Sequence, residues 1–212
     1  EEMLLTCSVG TRNVLELARK KHAKVIFTSS SEIYGNPEVF PQKETYGGNV
    51  SPTGYRSTYE EGKRFSESLV SFYVRKFNLD ARIARVFNTY GPGMSKSDSR
   101  VIPRFMNQSL KNLSLTVEGT GLQTRTFCYV DDLVVGLILI AKKGKKGEVY
   151  NLGSKKETKI IDLAKEVMIA TGNKKSIKLI KRPEHDHDRR LPDLNKIKKL
   201  GWKQKVDLGE GL

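Results

Sequence analysis

Tyr59 and Lys63 stand four residues apart in the stretch RSTYEEGKRFSE, residues 56–67. On a helix, positions i and i+4 share a face, so this spacing sets the ammonium one turn from the phenol. A cation there favours the ionised phenol and equips Tyr59 to take or return a proton near neutral pH. An isolated Tyr-x-x-x-Lys is also what a helix start followed by a solvated lysine looks like. The rest of the chain has to decide between the two.

The elements around this pair alternate. LLTCSVGTRNVLELARKK has apolar residues at helical spacing and a basic end, and KVIFTSSS reads as a short buried strand running into a small-residue turn. After a long loop, the helix bearing Tyr59 and Lys63 continues through FSESLVSFYVRKF, and ARIARVFNTYG gives a second strand. Such alternation predicts an α/β fold with a parallel sheet, whose ligands gather at the carboxyl ends of the strands, here TSSSEIYG and FNTYGPG. Residues 1–92 are assigned to a nucleotide-binding domain. Residues 93–212 are assigned mainly to a smaller α/β substrate lobe, with helices at RVIPRFMNQSLK, VDDLVVGLILIAKK and KIIDLAKEVMIATG and strands at LTVEG and EVYNLG.

A doubly wound nucleotide-binding fold opens with a strand and a Gly-rich phosphate turn, and residues 1–30 carry neither. GTGLQT at 119–124 lacks the third glycine and does not open a helix. The expectation is a partial doubly wound sheet, Rossmann-like but without its N-terminal phosphate-binding half.

Bulk properties narrow the function classes. Thirty-eight Lys and Arg against twenty-four Asp and Glu give a net charge of +14. The surplus is scattered through ARKKHAK, AKKGKKGE and NKIKKLGWK without interleaved aromatics, which argues against a nucleic-acid partner and suits attraction of a small anionic substrate. The longest apolar run, LVVGLILIA at 133–141, is too short to span a bilayer. Cys7 and Cys128 lack the spacing of a metal site or a disulfide framework, so a cytoplasmic, reducing compartment is expected. HDHD at 185–188 invites a metal reading, but alternating residues in a loop point to a solvated segment, and no metal is expected.

TSSSEIYG, TYEEGKR, ARVFNTYGPG, QTRTFCYVDDL and RRLPDLNKIKKLGW, in that order over about 170 residues, resemble the extended short-chain dehydrogenase/reductase enzymes that act on nucleotide sugars. The resemblance implies NAD as cofactor and a nucleotide-sugar substrate. It implies that Tyr59 moves the hydroxyl proton, that Lys63 holds the nicotinamide ribose, and that Ser30 orients the sugar hydroxyl. Thr28 and Thr89 are implied to touch NAD. The resemblance also implies Asn88, Arg100 and Arg125 on the diphosphate side and Gln123 near the ribose. Relatives pair two such helices with those of a second copy in a four-helix bundle, which implies a homodimer through VGTRNVLELARK and FSESLVSFYVRK.

Within that family the loop SSSEIYGNPEVFPQKETYGGNVSPTGYRSTYEEGKR is most similar to the branch that decarboxylates UDP-glucuronate to UDP-xylose through a 4-keto sugar. The dTDP-glucose 4,6-dehydratases carry Asp-Glu where this chain has Ser31-Glu32. Removing water needs an acid at that point, and serine is a poor one. A 4-epimerase has no use for a carboxylate at Glu32. Arg190 matches the family's late active-site arginine, suited to holding a carboxylate and stabilising an enolate. Two positions depart from the pattern: Cys7 replaces an asparagine beside the cofactor, and Glu118 replaces an aromatic near the base. Dehydratase and epimerase remain the enzymatic alternatives. A catalytically inactive binding or dimerisation module is the alternative of another class.

Overall fold

In the computed structural model, which describes residues 1–95, 97–183 and 186–212, the opening segment forms α1 (Glu2–Leu5), a π-turn at Thr6–Gly10 and α2 (Thr11–Lys21). The helix expected there is thus widened by a π-turn. The widening faces α3 (Ser57–Phe77), the helix of Tyr59 and Lys63. Cys7 is buried against Gly62, where an added Cβ would lie 3.2 Å from the Cys7 Sγ. Ser66 on α3 donates its hydroxyl to the Cys7 carbonyl at 2.6 Å. A side chain at Gly62 would press on Cys7, so glycine favours this close approach of the two helices.

Between α2 and α3 run β1 (Val25–Ser30) and a 3-10 turn at Ser31–Tyr34. After α3 come β2 (Ala81–Val86), β3 (Thr89–Tyr90), α4 (Val101–Leu110), β4 (Leu115–Glu118), β5 (Thr124–Thr126), β6 (Cys128–Tyr129), α5 (Val130–Lys143), β7 (Val149–Leu152), β8 (Glu157–Lys159), α6 (Ile160–Thr171) and β9 (Ile177–Ile180). β1, β2 and β7 form a parallel sheet in that order. β4 pairs with β9 and β3 with β6, both parallel, and β5 pairs with β8 antiparallel.

The strand expected at EVYNLG therefore returns to the first sheet, so the chain crosses the boundary expected at residue 92 and comes back. Its return follows from burial. α5 packs Ile140 against Ala84 of β2 and Leu152 of β7, and Trp202 closes the same cluster. Leu15, Val70, Tyr73 and Ile83 fill the opposite face between α2, α3 and the sheet. The second lobe has its own core of Phe105, Leu115, Val117, Leu163 and Val167. β9, which the sequence did not predict, pairs with β4 while leaving Leu179 and Ile180 exposed, so it shows no apolar run or clean alternation to read.

β2 carries two arginines inside the sheet, and both are satisfied. Arg82 donates to the Gly144 carbonyl at 2.8 Å. Arg85 pairs with Glu67 of α3 at 2.8 Å and donates to the Tyr34 hydroxyl at 2.9 Å and the Glu44 carbonyl at 2.8 Å. Tyr34 in turn donates to Asn151 of β7 at 2.8 Å. This buried network ties the long loop after β1 to the sheet.

Candidate active site

The loop fixed in this way positions a residue nearly 150 places further on. Gln42 is fully buried and grips Leu191 from both sides: its backbone N–H donates to the Leu191 carbonyl at 2.8 Å, and its side-chain oxygen accepts from the Leu191 N–H at 2.9 Å. Arg190 is thereby held with its guanidinium over the 3-10 turn. It donates to Ser31 Oγ at 3.1 Å, to Glu32 Oε2 at 3.0 Å and to the Gly35 carbonyl at 3.2 Å. Gly35 permits this turn: its φ is +58°, and a Cβ there would collide with the Asn49 carbonyl.

Glu32 and Arg190, expected to meet a sugar from opposite sides, are in direct contact. Arg56 adds a second guanidinium, 2.7 Å from the same Glu32 oxygen. Burial pushes the Glu32 carboxyl up, but Arg190 and Arg56 outweigh it and hold it below the usual carboxylate range. Glu32 is therefore a fixed anion between two cations. The Ser31 hydroxyl is committed to Arg190, and Ser30 caps the turn by accepting from the Glu32 N–H at 3.2 Å.

A second group forms beside the first, on the same face of α3. Lys63 Nζ donates to the Thr28 carbonyl at 3.0 Å and sits 5.1 Å from the Phe27 ring and 6.0 Å from the Tyr59 ring. Helical spacing thus brings Tyr59 and Lys63 together, and β1 supplies Thr28 beside them. The Tyr59 hydroxyl forms no hydrogen bond among the described residues, and Lys63 keeps N–H groups to spare. These two side chains fit a ribose hydroxyl and a reacting hydroxyl.

A cleft of about 300 Å³ opens between the sheet and the second lobe. Its lining includes Glu32, Arg190, Asn88, Arg100, Gln123 and Arg125, so the residues assigned to a nucleotide sugar converge there. Thr89, assigned to the cofactor, lines this cleft as well, away from the Thr28 and Lys63 pair. Not every arginine is free. Arg100 is paired with Asp98, while Arg125 donates to the Asp186 carboxylate and the His187 carbonyl. The far part of the cleft places Glu118 in an ion pair with Arg104.

The HDHD segment differs from its expected solvated state. His185 lies outside the described residues, and Asp188 is exposed, but His187 folds inward with its side chain 12 % exposed. Its Nε2 lies 3.7 Å from Glu60 Oε1 and 3.9 Å from Glu32 Oε2. These three ligand atoms lie within 4.8 Å of one another, a spacing a metal could use. Arg190 and Arg56 already occupy Glu32, however, and a divalent ion would face both guanidiniums at close range. Sequence reasoning missed Arg56, Glu60 and His187. The signal for the first two was an Arg and a Glu at i and i+4 beside Tyr59, but no spacing links either to His187.

Burial, reinforced by Arg190, pushes the His187 imidazole down to about 4. In the unfolded chain it titrates near 6.5. Between those values the unfolded state binds the extra proton, so this group's contribution to stability is lost as pH falls from about 6.5 to about 4. Glu60, raised by burial and by Glu32, works in the opposite sense. His187→Asn should flatten the fall in Tm across that window. Parallel Tm profiles for the two proteins would refute it.

The chain is similar to known proteins in sequence and in fold. The NAD dependent epimerase/dehydratase family matches residues 1–153. UDP-glucuronic acid decarboxylase 3 of Arabidopsis thaliana is 44 % identical over 205 residues, 96 % of this chain and 60 % of the relative. UDP-glucuronic acid decarboxylase 1 of Xenopus tropicalis is 42 % identical over 99 % of this chain and 50 % of its own length. The chain thus spans little more than half the length of these curated relatives. Among solved structures, UDP-glucose 4-epimerase of Thermotoga maritima with UDP-glucose superposes with a TM-score of 0.91 at 30 % identity, over 98 % of this chain and 67 % of that one. The dTDP-glucose 4,6-dehydratase of Bacillus anthracis in complex with NAD gives 0.86 at 25 % identity, over 98 % and 65 %. By its sequence and its fold the chain belongs to the NAD dependent epimerase/dehydratase family.

Proposed function

We propose that the protein decarboxylates UDP-glucuronate to UDP-xylose through a 4-keto sugar, with NAD as a cofactor that is regenerated in each cycle. The observation that carries this reading is the Glu32–Arg190–Ser31 cluster at the cleft. Arg190 offers a buried guanidinium to a carboxylate and to the enolate that its loss creates. Neither Ser31, committed to Arg190, nor Glu32, held ionised, is placed to protonate a departing hydroxyl, which counts against dehydration. The decarboxylase relatives support the same branch.

Tyr59 takes the proton of the sugar's 4-hydroxyl and returns one to the same oxygen. Lys63, anchored on Thr28, holds the nicotinamide ribose and the phenol in register. Bound NAD supplies the reversible oxidation at carbon 4. Asn88, Arg100 and Gln123 line the cleft where the nucleotide diphosphate lies, and Arg125 carries the loop of His187.

The test gives the gene product, purified with NAD, UDP-glucuronate, dTDP-glucose and UDP-glucose separately. Carbon dioxide and UDP-xylose are expected from the first alone. A 4-keto-6-deoxy sugar from dTDP-glucose, or UDP-galactose from UDP-glucose, with UDP-glucuronate untouched, would replace decarboxylation by another activity of the family.

A homodimer is part of the proposal. α2 and α3 present Val14, Leu17, Phe65 and Phe72 to solvent, an apolar surface suited to the same surface of a second copy. Light scattering at micromolar concentration should give twice the chain mass, and a monomer would remove this part of the reading. Among the described residues no helix is long and apolar enough to cross a membrane.

A further inference from the structure

Decarboxylation has a proton balance that Tyr59 cannot close. When carbon dioxide leaves, the bond between C5 and the carboxyl carbon breaks, and its electron pair passes into the enolate of the 4-keto sugar. A new C5–H bond must then form, which consumes one proton from solvent. Tyr59 takes one proton from the 4-hydroxyl and gives one back, so it has none to spare. Glu32 is held ionised by two guanidiniums, and arginine does not release protons at neutral pH.

We propose that Glu60 and His187 deliver the proton that replaces the departing carboxylate, His187 facing the cleft and Glu60 acting through it. The inference rests on the decarboxylase reading. Its geometric basis is a pair of buried polar atoms left open. Glu60 Oε1 and His187 Nε2 are enclosed without a hydrogen-bond partner among the described residues, yet they lie 3.7 Å apart. Buried groups of this kind carry a cost unless a proton or a ligand joins them. His187 lines the cleft together with Arg190 and Glu32, while Glu60, with 6 % of its side chain exposed, stands behind it on α3.

On balance the surrounding charges favour a proton on Glu60, although Arg56 stands 3.6 Å from its Oε1. Glu32 and Glu61 face Glu60 along with Arg56 and Arg190, and burial with the Glu32 charge raises the Glu60 carboxyl. Arg190, Arg56 and Arg125 surround His187 and, with burial, keep it neutral. A neutral imidazole has one accepting and one donating nitrogen, so it can receive a proton on one side as it releases another. Asp188, the next residue, is exposed and paired with Arg182, which puts this end of the His187 loop at the protein surface.

The experiment runs the NAD-loaded gene product on UDP-glucuronate in deuterated water and reads C5 of the product by NMR. The wild type should place deuterium at one of the two C5 positions. Glu60→Gln keeps the shape but carries no acidic proton, and His187→Asn removes the relay. Each should lower turnover about 10²-fold, the lower end for general acid catalysis, with KM little changed. Each should also scatter deuterium over both C5 positions, because the enolate then takes solvent protons from either face. Loss of packing alone would slow turnover without scrambling the label. Either variant with single-site deuterium overturns the inference, whatever its rate. If the wild type releases no carbon dioxide, the decarboxylase reading itself fails and takes the inference with it.

Discussion

Arg190→Ala is expected to lower turnover of UDP-glucuronate by about two to three orders of magnitude, the loss typical of removing one preorganised donor to a developing oxyanion. Arg190 is buried and spends its guanidinium on Ser31, Glu32 and the Gly35 carbonyl. On the decarboxylase reading the loss should fall mainly on kcat, because the interaction would strengthen as charge moves from the carboxylate into the enolate. Stability should fall too, toward the lower end of the roughly 3–5 kcal/mol seen when a buried pair loses one partner, since Arg56 remains on Glu32. Arg190→Lys separates the two effects. Its ammonium restores a charge near Glu32 and much of the stability, but one point donor cannot reproduce the planar fork reaching both Ser31 and Glu32. Steady-state kinetics and urea unfolding on the three proteins decide the matter. Turnover within tenfold of wild type for the alanine variant would remove Arg190 from the chemistry.

Tyr59→Phe should have the opposite profile. The lost hydroxyl forms no hydrogen bond among the described residues, so unfolding free energy should change by no more than about 0.5 kcal/mol, as at ordinary surface positions. Turnover should drop about 10²–10⁴-fold, the range for loss of a positioned acid or base. Bound NAD should remain, because Lys63 keeps its anchor on Thr28 and the phenyl ring still fills the helix face. If the phenylalanine variant turns over normally, the proton of the 4-hydroxyl leaves by another group. Together the two substitutions test whether Arg190 is both structural and chemical and whether the role of Tyr59 is chemical alone.

The sequence by itself determined the local elements and the pair on α3. Periods of two and of 3.6 residues marked β1, β2, α3 and the helices of the second lobe, because those periods are set by the backbone and by which face is buried. Tyr59 and Lys63 were legible for the same reason: the distance between them is a property of one helix. The motif order also identified the family and singled out Glu32, Arg190 and the polar residues that the fold brings to one cleft. Tertiary structure alone decided how that list is assembled. Arg190 meets Glu32 only because Gln42 clamps Leu191, and Gln42 is held by a loop tied to β2 and β7 through Tyr34, Arg85 and Asn151. β7 returns to the first sheet, where α5 buries its apolar side against β2 and β7. His187 looked solvated in a loop of alternating charges, and became a buried partner of Glu60 when the chain folded that loop across α3. Contacts between segments far apart in sequence depend on the sum of packing over the whole core, so no local spacing records them. Charges in such contacts take their protonation from neighbours that only the fold supplies.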